Sequence, residues 1–326
     1  MKALDINEID YIYQIFLGRG LNFDERTSID AALAHDSRAF DPEHFRKTLM
    51  GSPEFIIRNR EEFLLKLFRG PCIVAARTPL GQEIFVDIRQ LHLGFAIAAG
   101  DFEPLETAFV IANVKPGMHV CDIGANAGYF SLICAGLVGN AGSVLAFEPV
   151  GETFARLTAA VARNGLGNII RPHNLALADY AGSLWVVYER DGSNIGGAHL
   201  VRNDGVPETQ VRESVQVRTL DEIVGRNPVH FVKMDVEGAE GLVLAGARKA
   251  IREQLPTLLI EFNVPQLMQI SHIDGFALAH TLEEMGYGLF EIIDRGQLRP
   301  FTDTSADIAR LTDGTGIFNC VACRKE

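Results

Sequence analysis

From Val120 onward, short apolar runs alternate with stretches whose apolar residues recur at helical spacing. HVCDIG, SVLAFEP, NIIRPHNLAL, HFVKMDV, TLLIEF, YGLFEII and IFNCVAC read as strands. They are rich in β-branched and other apolar residues, as strands of a sheet covered on both faces are. Phe130 to Val138, Glu152 to Asn164, Leu242 to Arg252 and Phe276 to Met285 read as the helices between them. This rhythm predicts an α/β fold: a doubly wound, seven-stranded, mostly parallel sheet with helices on both faces. The last two strands are joined by about twenty residues around Gln297, Pro300 and Asp303 with no clear helical period. An antiparallel return is therefore expected there, unlike the six parallel strands of a dinucleotide-binding sheet.

Upstream the texture differs. Ile9, Ile12, Ile15 and Phe16 are spaced for one helix face, and Ser52 can cap a helix opening at Pro53. Residues 1–69 are thus expected to form a small all-helical unit, and residues 70–326 the α/β domain. After Pro71, CIVAART and QEIFVDI flank a Thr-Pro-Leu-Gly turn and predict a hairpin. A polar excursion from about Gly182 to Val217 holds SLWVVYE and VQVRTL, a second hairpin with a mobile tip, of the kind that selects substrates over a sheet edge. Its Trp185, the one tryptophan, either stacks on an acceptor or fills core, and core is the preferred reading.

Composition narrows the function classes. With 47% hydrophobic and 22% charged residues, the chain has the balance of a folded globular protein. Its formal charge of −12 repels phosphate backbones, so a small-molecule or glycan partner is expected and no nucleic acid. No apolar run reaches the ~18 residues of a membrane span, and the start MKALDINEID lacks a signal architecture, which leads to the expectation of a cytoplasmic protein. Cys320 and Cys323 form a C-x-x-C pair, but within a strand residues three apart face opposite sides. Reduced, structural thiols are expected.

In an open parallel sheet, ligands bind beyond the carboxyl ends of the strands. At the end of the first, Asp122-Ile123-Gly124-Ala125-Asn126-Ala127-Gly128 joins a strand end, a tight turn and a helix start. Gly124 and Gly128 are expected to let the backbone approach a ligand, and the helix start offers N–H groups to a carboxylate. Glu148, at the end of the next strand, is placed to accept both hydroxyl hydrogens of a ribose. The two features define an adenosine-type pocket. Asn126 and Tyr129 stand where the dinucleotide pattern G-x-G-x-x-G needs its second and third glycines, so no pyrophosphate site is evident. S-adenosylmethionine, which carries a carboxylate on its methionine end, fits these residues.

The stretches EPLETAF, KPGMHVCDIGANAGYFSLICAGLVGNAGSVLAFEP, Ala176-Leu177-Ala178-Asp179, Leu220-Asp221 and VKMDVEGAEGLVLAGA together resemble the FkbM-type methyltransferases, from about Phe102 to Phe262. The resemblance implies a class I, Rossmann-like methyltransferase domain with S-adenosylmethionine as cofactor. It also implies a cofactor loop of Asp122, Gly124, Ala125, Asn126 and Gly128, a ribose acid at Glu148 followed by Pro149, and Ala176-Leu177 beside the adenine. Glu103 is similar to the glutamate of the family's Tyr-Glu-Pro, facing the methionine amino group, although Phe102 replaces the tyrosine. Asn194 with Gly196-Gly197 resembles a family Asn-Gly element. At the other end, YIYQIFLGR (Tyr11 to Arg19) and SPEF (Ser52 to Phe55) resemble a small helical domain of unknown function found in bacterial linker proteins and beside glycosyltransferases, and a protein partner for this unit is a further expectation.

For the chemistry, Asp235 and Glu237 fall at the carboxyl edge of HFVKMDV, where Gly238 allows a sharp exit, and Glu261 occupies the equivalent edge of TLLIEF. They are the candidate catalytic residues. Asp235 would orient the acceptor or sulfonium, Glu237 would do the same or charge the next helix start, and Glu261 is either a base or a buried acid paired with Lys233 or an arginine. No metal is expected, since the sequence does not show these oxygens converging. Among the histidines, His119 and His230 sit at amino ends, His173 lies inside a strand, and only His199 could lean over the pocket, with a solvated loop histidine the preferred reading. The expected activity is O-methylation of a hydroxyl on a sugar, glycan or related metabolite. A nucleotide-cofactor dehydrogenase and a non-catalytic adenosyl-binding module are the alternatives.

Overall fold

A computed structural model of the chain describes residues 6, 7, 9, 10, 13, 21–35, 70–189, 196–201, 207–313 and 315–325. The chain divides into two compact units, Met1–Gly70 and Pro71–Glu326. In the first, helix α1 (Phe23–His35) opens with a reciprocal cap. The Asn22 side chain accepts from the Glu25 N–H, and the Glu25 carboxylate accepts from the Asn22 N–H, both at 2.9 Å. This satisfies donors that a helix start otherwise leaves unpaired. Asp10 accepts from the Leu21 N–H at 2.6 Å and pairs with Arg26 at 3.6 Å. Ile9 is fully buried, whereas Ile12, Ile15, Phe16, the Ser52–Pro53 cap and, except for Tyr13, both family-like segments lie outside the described residues.

The second unit starts with strands β1 (Ile73–Arg77) and β2 (Glu83–Asp87), antiparallel about the anticipated turn, where the Gly81 N–H donates to the Thr78 carbonyl at 2.9 Å. Then come α2 (Pro104–Asn113), β3 (His119–Ile123), α3 (Tyr129–Val138), β4 (Ser143–Phe147), α4 (Gly151–Arg163) and β5 (Ile170–His173). The excursion supplies β6 (Ala176–Leu177), β7 (Gly182–Glu189), β8 (His199–Val201) and β9 (Gln210–Arg218). The series resumes with α5 (Leu220–Val224), β10 (Phe231–Met234), α6 (Glu240–Gly246), α7 (Arg248–Gln254), β11 (Thr257–Asn263), α8 (Val264–Ile270) and α9 (Gly275–Glu284). It closes with β12 (Tyr287–Ile293), β13 (Gln297–Pro300), α10 (Thr304–Leu311) and β14 (Ile317–Arg324).

The main sheet has the order β13-β12-β14-β11-β10-β3-β4-β5. Strands β5, β4, β3, β10 and β11 run parallel, β14 is antiparallel to both β11 and β12, and β13 is antiparallel to β12. The antiparallel return is therefore present. The count is eight rather than seven, because the polar QLRP segment adds a short edge strand, a position that tolerates Pro300. Alternate residues of the central strands enter separate cores. Val120 and Phe231 pack with Phe109, Leu132 and Ile133 on one face, while Cys121, Ile123, Val232 and Met234 pack with Leu244, Ile251 and Leu282 on the other. Each fully buried aliphatic or aromatic side chain among them contributes about 1.5–3 kcal/mol of burial.

Two predicted elements divide. NIIRPHNLAL is not one strand: β5 ends at His173, and β6 joins β9, β7 and β8 in a separate sheet of order β6-β9-β7-β8. Asn174 holds the break, its side-chain NH2 donating to the Glu148 and Pro149 carbonyls at 2.9 Å each. The helix expected from Leu242 to Arg252 breaks at Ala247 into α6 and α7. Gly246 lets the end of α6 approach the Ala178 carbonyl, where a Cβ would stand only 1.9 Å away. All five cysteines are free, with Cys320 buried and Cys323 half-buried on β14. Among the described residues, no helix is long and apolar enough to cross a membrane.

Candidate active site

Strand order reverses between β3, which leads to β4 and β5, and β10, which leads to β11, so the two carboxyl ends open a crevice at that point. The glycine turn lies there. The N–H groups of Gly124 and Ala125 both donate to the Phe147 carbonyl, at 3.0 and 2.9 Å, which fixes the turn against the end of β4. Gly124 has φ of 82°, and a Cβ on it would stand 1.7 Å from the Asp235 carbonyl oxygen. Gly128, with φ of 95°, faces Leu157 Cδ1 at 2.5 Å in the same test. Both glycines are thus required by the protein's own backbone and packing. Gly128 begins α3 without any side-chain cap.

Glu148 is buried and already heavily bonded. Its Oε2 accepts from the Asn126 N–H at 2.9 Å, and its Oε1 accepts from the Val150 N–H and the Thr153 hydroxyl, both at 2.8 Å. A carboxylate oxygen has about two acceptor positions, so Oε1 is full and Oε2 has one left. The carboxylate thus keeps one open acceptor position, on Oε2. Burial pushes this carboxyl up to about 7 despite those bonds. Asn126 holds φ of 48°, and its side-chain oxygen accepts from the Ala127 N–H at 2.8 Å. Asp122 is fully buried, one oxygen accepting from the Ser131 hydroxyl and the other without a partner among the described residues. Ala176 and Leu177 are buried in β6, and Pro149 is half-buried beside Glu148.

Glu103 precedes α2 with φ of 41°, and its Oε2 is buried with no partner among the described residues. Burial raises its carboxyl to about 7, opposed by Lys233 and reinforced by Asp235. Phe102, lacking the family hydroxyl, packs edge-on against Tyr129 at 5.1 Å between centroids. The Tyr129 hydroxyl lies 3.3 Å from that of Thr107. The residue that broke the dinucleotide pattern thus brings a phenol next to Glu103's helix.

On the other side of the crevice, Asp235, Glu237 and Glu261 converge, each offering a carboxylate oxygen within 4.8 Å of the others. Glu237 adopts φ of 51°, followed by Gly238 at 93°, a pair of left-handed residues that turns the chain sharply off β10. Its Oε2 accepts from the Asn263 side chain at 2.9 Å. Burial, with Asp235 beside it, raises Glu237 to about 7, and burial with Asp235, Glu237 and Glu240 raises Glu261 well above the usual carboxylate range. Glu240 is fully buried and pushed up to about 8 by burial, one oxygen accepting from the Val236 N–H at 3.0 Å.

Lys233, buried in β10, is the cation in this group, its Nζ donating to Asp235 Oδ2 at 2.6 Å. Burial opposes its charge, but Asp235, Glu103 and Asp122 outweigh that and raise its pKa. It pairs with Asp235, so the reading of Glu261 as its partner is corrected. Sequence reasoning passed over Lys233 and Asn263 as site residues. The signal for Asn263 was the Asn-Val-Pro run, since its side chain also accepts from the Gln266 N–H at 3.3 Å to start α8.

Other candidates stay apart from this group. The His119 N–H donates to His230 Nδ1 at 2.9 Å at the amino edge, and His173 stacks on Phe147 at 5.1 Å. His199 Nδ1 lies 3.3 Å from the Gly197 carbonyl, while Asn194 is outside the described residues. Trp185 does not fill core: it is half-buried, with the Arg212 guanidinium 3.7 Å from its ring centre. Leu220 is core, and Asp221 caps α7, accepting from the Lys249 and Ala250 N–H groups at 3.0 and 2.8 Å.

No curated protein matches the chain. Among solved structures, it is similar to a methyltransferase FkbM from Methylobacillus flagellatus KT, at 19% identity and a TM-score of 0.39, covering 82% of this chain and 59% of that one. It is also similar to Aeropyrum pernix fibrillarin, solved with natively bound S-adenosyl-L-methionine, at 11% identity and a TM-score of 0.38, covering 67% and 73%. A third similar structure is an S-adenosylmethionine-dependent O-methyltransferase from Thermotoga maritima, at 13% identity and a TM-score of 0.34, covering 79% and 96%. Residues 122–289 match the family described as the methyltransferase FkbM domain, just over half of the chain, and run from the buried aspartate of the glycine turn through the carboxylate trio into β12. The chain belongs to that family.

Proposed function

We propose that the chain is an S-adenosylmethionine-dependent methyltransferase that methylates a hydroxyl of a sugar, glycan or related small molecule. The observation that carries this reading is the meeting of two unlike half-sites at one crevice. A cradle of Glu148, Asn126 and the uncapped start of α3 stands against a trio of carboxylates, with Gly124 backed onto the Asp235 carbonyl between them.

The residues fit the cofactor. Glu148 keeps one acceptor position for a ribose hydroxyl, the start of α3 offers N–H groups to a carboxylate, and the unpartnered Oε2 of Glu103 suits an ammonium. When bound, S-adenosylmethionine supplies an electrophilic methyl group on a sulfonium. The protein's part is to hold an acceptor oxygen in line with that methyl and to exclude water. Asp235, fixed by Lys233, orients the acceptor. Glu237, near 7, is matched to taking a hydroxyl proton at neutral pH, and Glu261 shares the negative field.

Calorimetry with S-adenosylhomocysteine and with NADH tests the cofactor. S-adenosylhomocysteine binding with no NADH response is expected, and the reverse sinks the reading. Incubating the protein and methyl-labelled S-adenosylmethionine with a cell extract, then analysing labelled products by mass, identifies the acceptor. Asp235→Asn is expected to lower turnover at least about tenfold while leaving S-adenosylhomocysteine affinity within about tenfold, ~1.4 kcal/mol.

A further inference from the structure

We propose that Asp235, Glu237 and Glu261 together hold a divalent cation of the magnesium or manganese class, which binds the acceptor hydroxyl. The inference rests on the methyltransferase reading for its role but not for the binding itself. The trio's oxygens lie within 4.8 Å of one another. Among the described residues, each of the three keeps an oxygen with no bond to the protein: Lys233 bonds Asp235 through Oδ2, Asn263 bonds Glu237 through Oε2, and Glu261 Oε2 is buried with no partner.

Glu240 is the second observation. It is 0% exposed, and its Oε2 has no hydrogen-bond partner among the described residues. Its charge bears on Glu261, and those of Asp235 and Glu237 bear on it. A buried polar atom left unpaired is costly, so it points to a group the fold expects to receive. A water carried by a cation in the trio would give Glu240 Oε2 its missing donor, an outer contact that metal sites regularly contain.

Charge argues the same way. Three carboxyl groups packed this closely against a buried ammonium can all ionise together only with a counter-charge, which a divalent ion would supply in place of the protons. The donors are all hard oxygens with no histidine or cysteine in the group, the set that magnesium and manganese accept. Three protein ligands leave coordination positions for acceptor oxygens, such as neighbouring hydroxyls on a sugar ring. A hydroxyl on the cation is more acidic. With Glu237 engaged on the cation, that hydroxyl would give its proton to solvent rather than to Glu237, its oxygen would form a bond to the methyl carbon, and the sulfur–carbon bond would break with its electron pair staying on sulfur. The products are a methyl ether, S-adenosylhomocysteine and one proton. The sequence-based expectation of no metal rested on convergence that only the fold displays.

The test uses full-length protein stripped with EDTA and titrated with Mn2+, free Mn2+ being read by its paramagnetic resonance signal. One Mn2+ per chain is expected at sub-millimolar concentration, with binding weakened at least about tenfold in Glu237→Gln and in Glu261→Gln and unchanged in Glu253→Gln, an exposed acid of α7. Wild-type protein gives a second readout: Mn2+ raises its melting temperature and EDTA reverses the rise. No bound Mn2+, or binding that neither trio variant changes, overturns the proposal. S-adenosylhomocysteine binding is measured separately. Cofactor binding without Mn2+ binding removes the metal and leaves the methyltransferase, whereas Mn2+ binding without cofactor binding does the opposite.

Discussion

At the scale of single residues, the site is built from backbone that ordinary side chains avoid. Glu103, Asn126 and Glu237 all hold positive φ, at 41°, 48° and 51°, and each contributes a polar group to the crevice. Such conformations cost on the order of 1 kcal/mol or more and persist where the surroundings enforce them. Gly124 shows what does the enforcing, since its absent side chain is the gap through which β3's turn rests on the Asp235 carbonyl. Gly124→Ala is therefore expected to destabilise the protein by about 2–4 kcal/mol, combining a strained φ with a backbone collision that no rotamer relieves. Urea unfolding of the two proteins measures this, and a loss below about 0.5 kcal/mol would show that the turn and Asp235 can part without penalty.

At the scale of elements, the FkbM-like motifs separate into those that meet at the crevice and those that hold its walls. Leu220-Asp221 is a wall: Asp221 supplies the acceptors that let α7 begin afresh after the break at Ala247. Asp221→Ala is expected to cost about 1–2 kcal/mol in thermal or urea unfolding while leaving S-adenosylhomocysteine affinity unchanged within about twofold. A large affinity loss with little destabilisation would move Asp221 into the site. The same break explains one limit of sequence reading, because apolar periodicity continues from Leu242 to Arg252 while the geometry that interrupts it comes from a carboxylate more than twenty residues upstream. The central strands were legible because two-sided burial writes an apolar run into the chain. β13 was not, because an exposed edge strand needs no apolar pattern. Glu148 and the carboxylates at the ends of β10 and β11 were legible from strand-end position alone. The pairing of Lys233, the role of Asn263 and the convergence of Glu261 on Asp235 depend on which strands lie side by side, and a sheet order is not written in any one strand.

At the scale of the whole molecule, the crevice makes the stability of the unit Pro71–Glu326 depend on pH in an unusual direction. Glu103, Glu148 and Glu237 are raised to about 7 and Glu240 to about 8, all chiefly by burial, against an ordinary value of 4.5. Between pH 4.5 and 8 the folded protein therefore keeps protons that the unfolded chain has released. Because unfolding releases protons in that range, stability is full below about 4.5 and is lost as pH rises through 7 to 8. Acids held low by partners, such as Glu83 under the Arg163 hydrogen bond, titrate below this window and act in the opposite sense. The melting temperature of the ligand-free protein is thus expected to fall from pH 5.5 to 8.5, and Glu148→Gln, which removes one of these carboxyls, should flatten the slope. Cationic ligands take the place of the protons. A sulfonium and an ammonium at the cofactor half, or a divalent ion at the trio, should restore stability most at high pH and release protons on binding. Calorimetry of S-adenosylmethionine binding at pH 7 in two buffers of different ionisation enthalpy reads that release directly. A melting temperature that rises across the window, together with proton uptake on binding, would mean that these carboxyls are ionised in the empty site and that the crevice is held open by their repulsion.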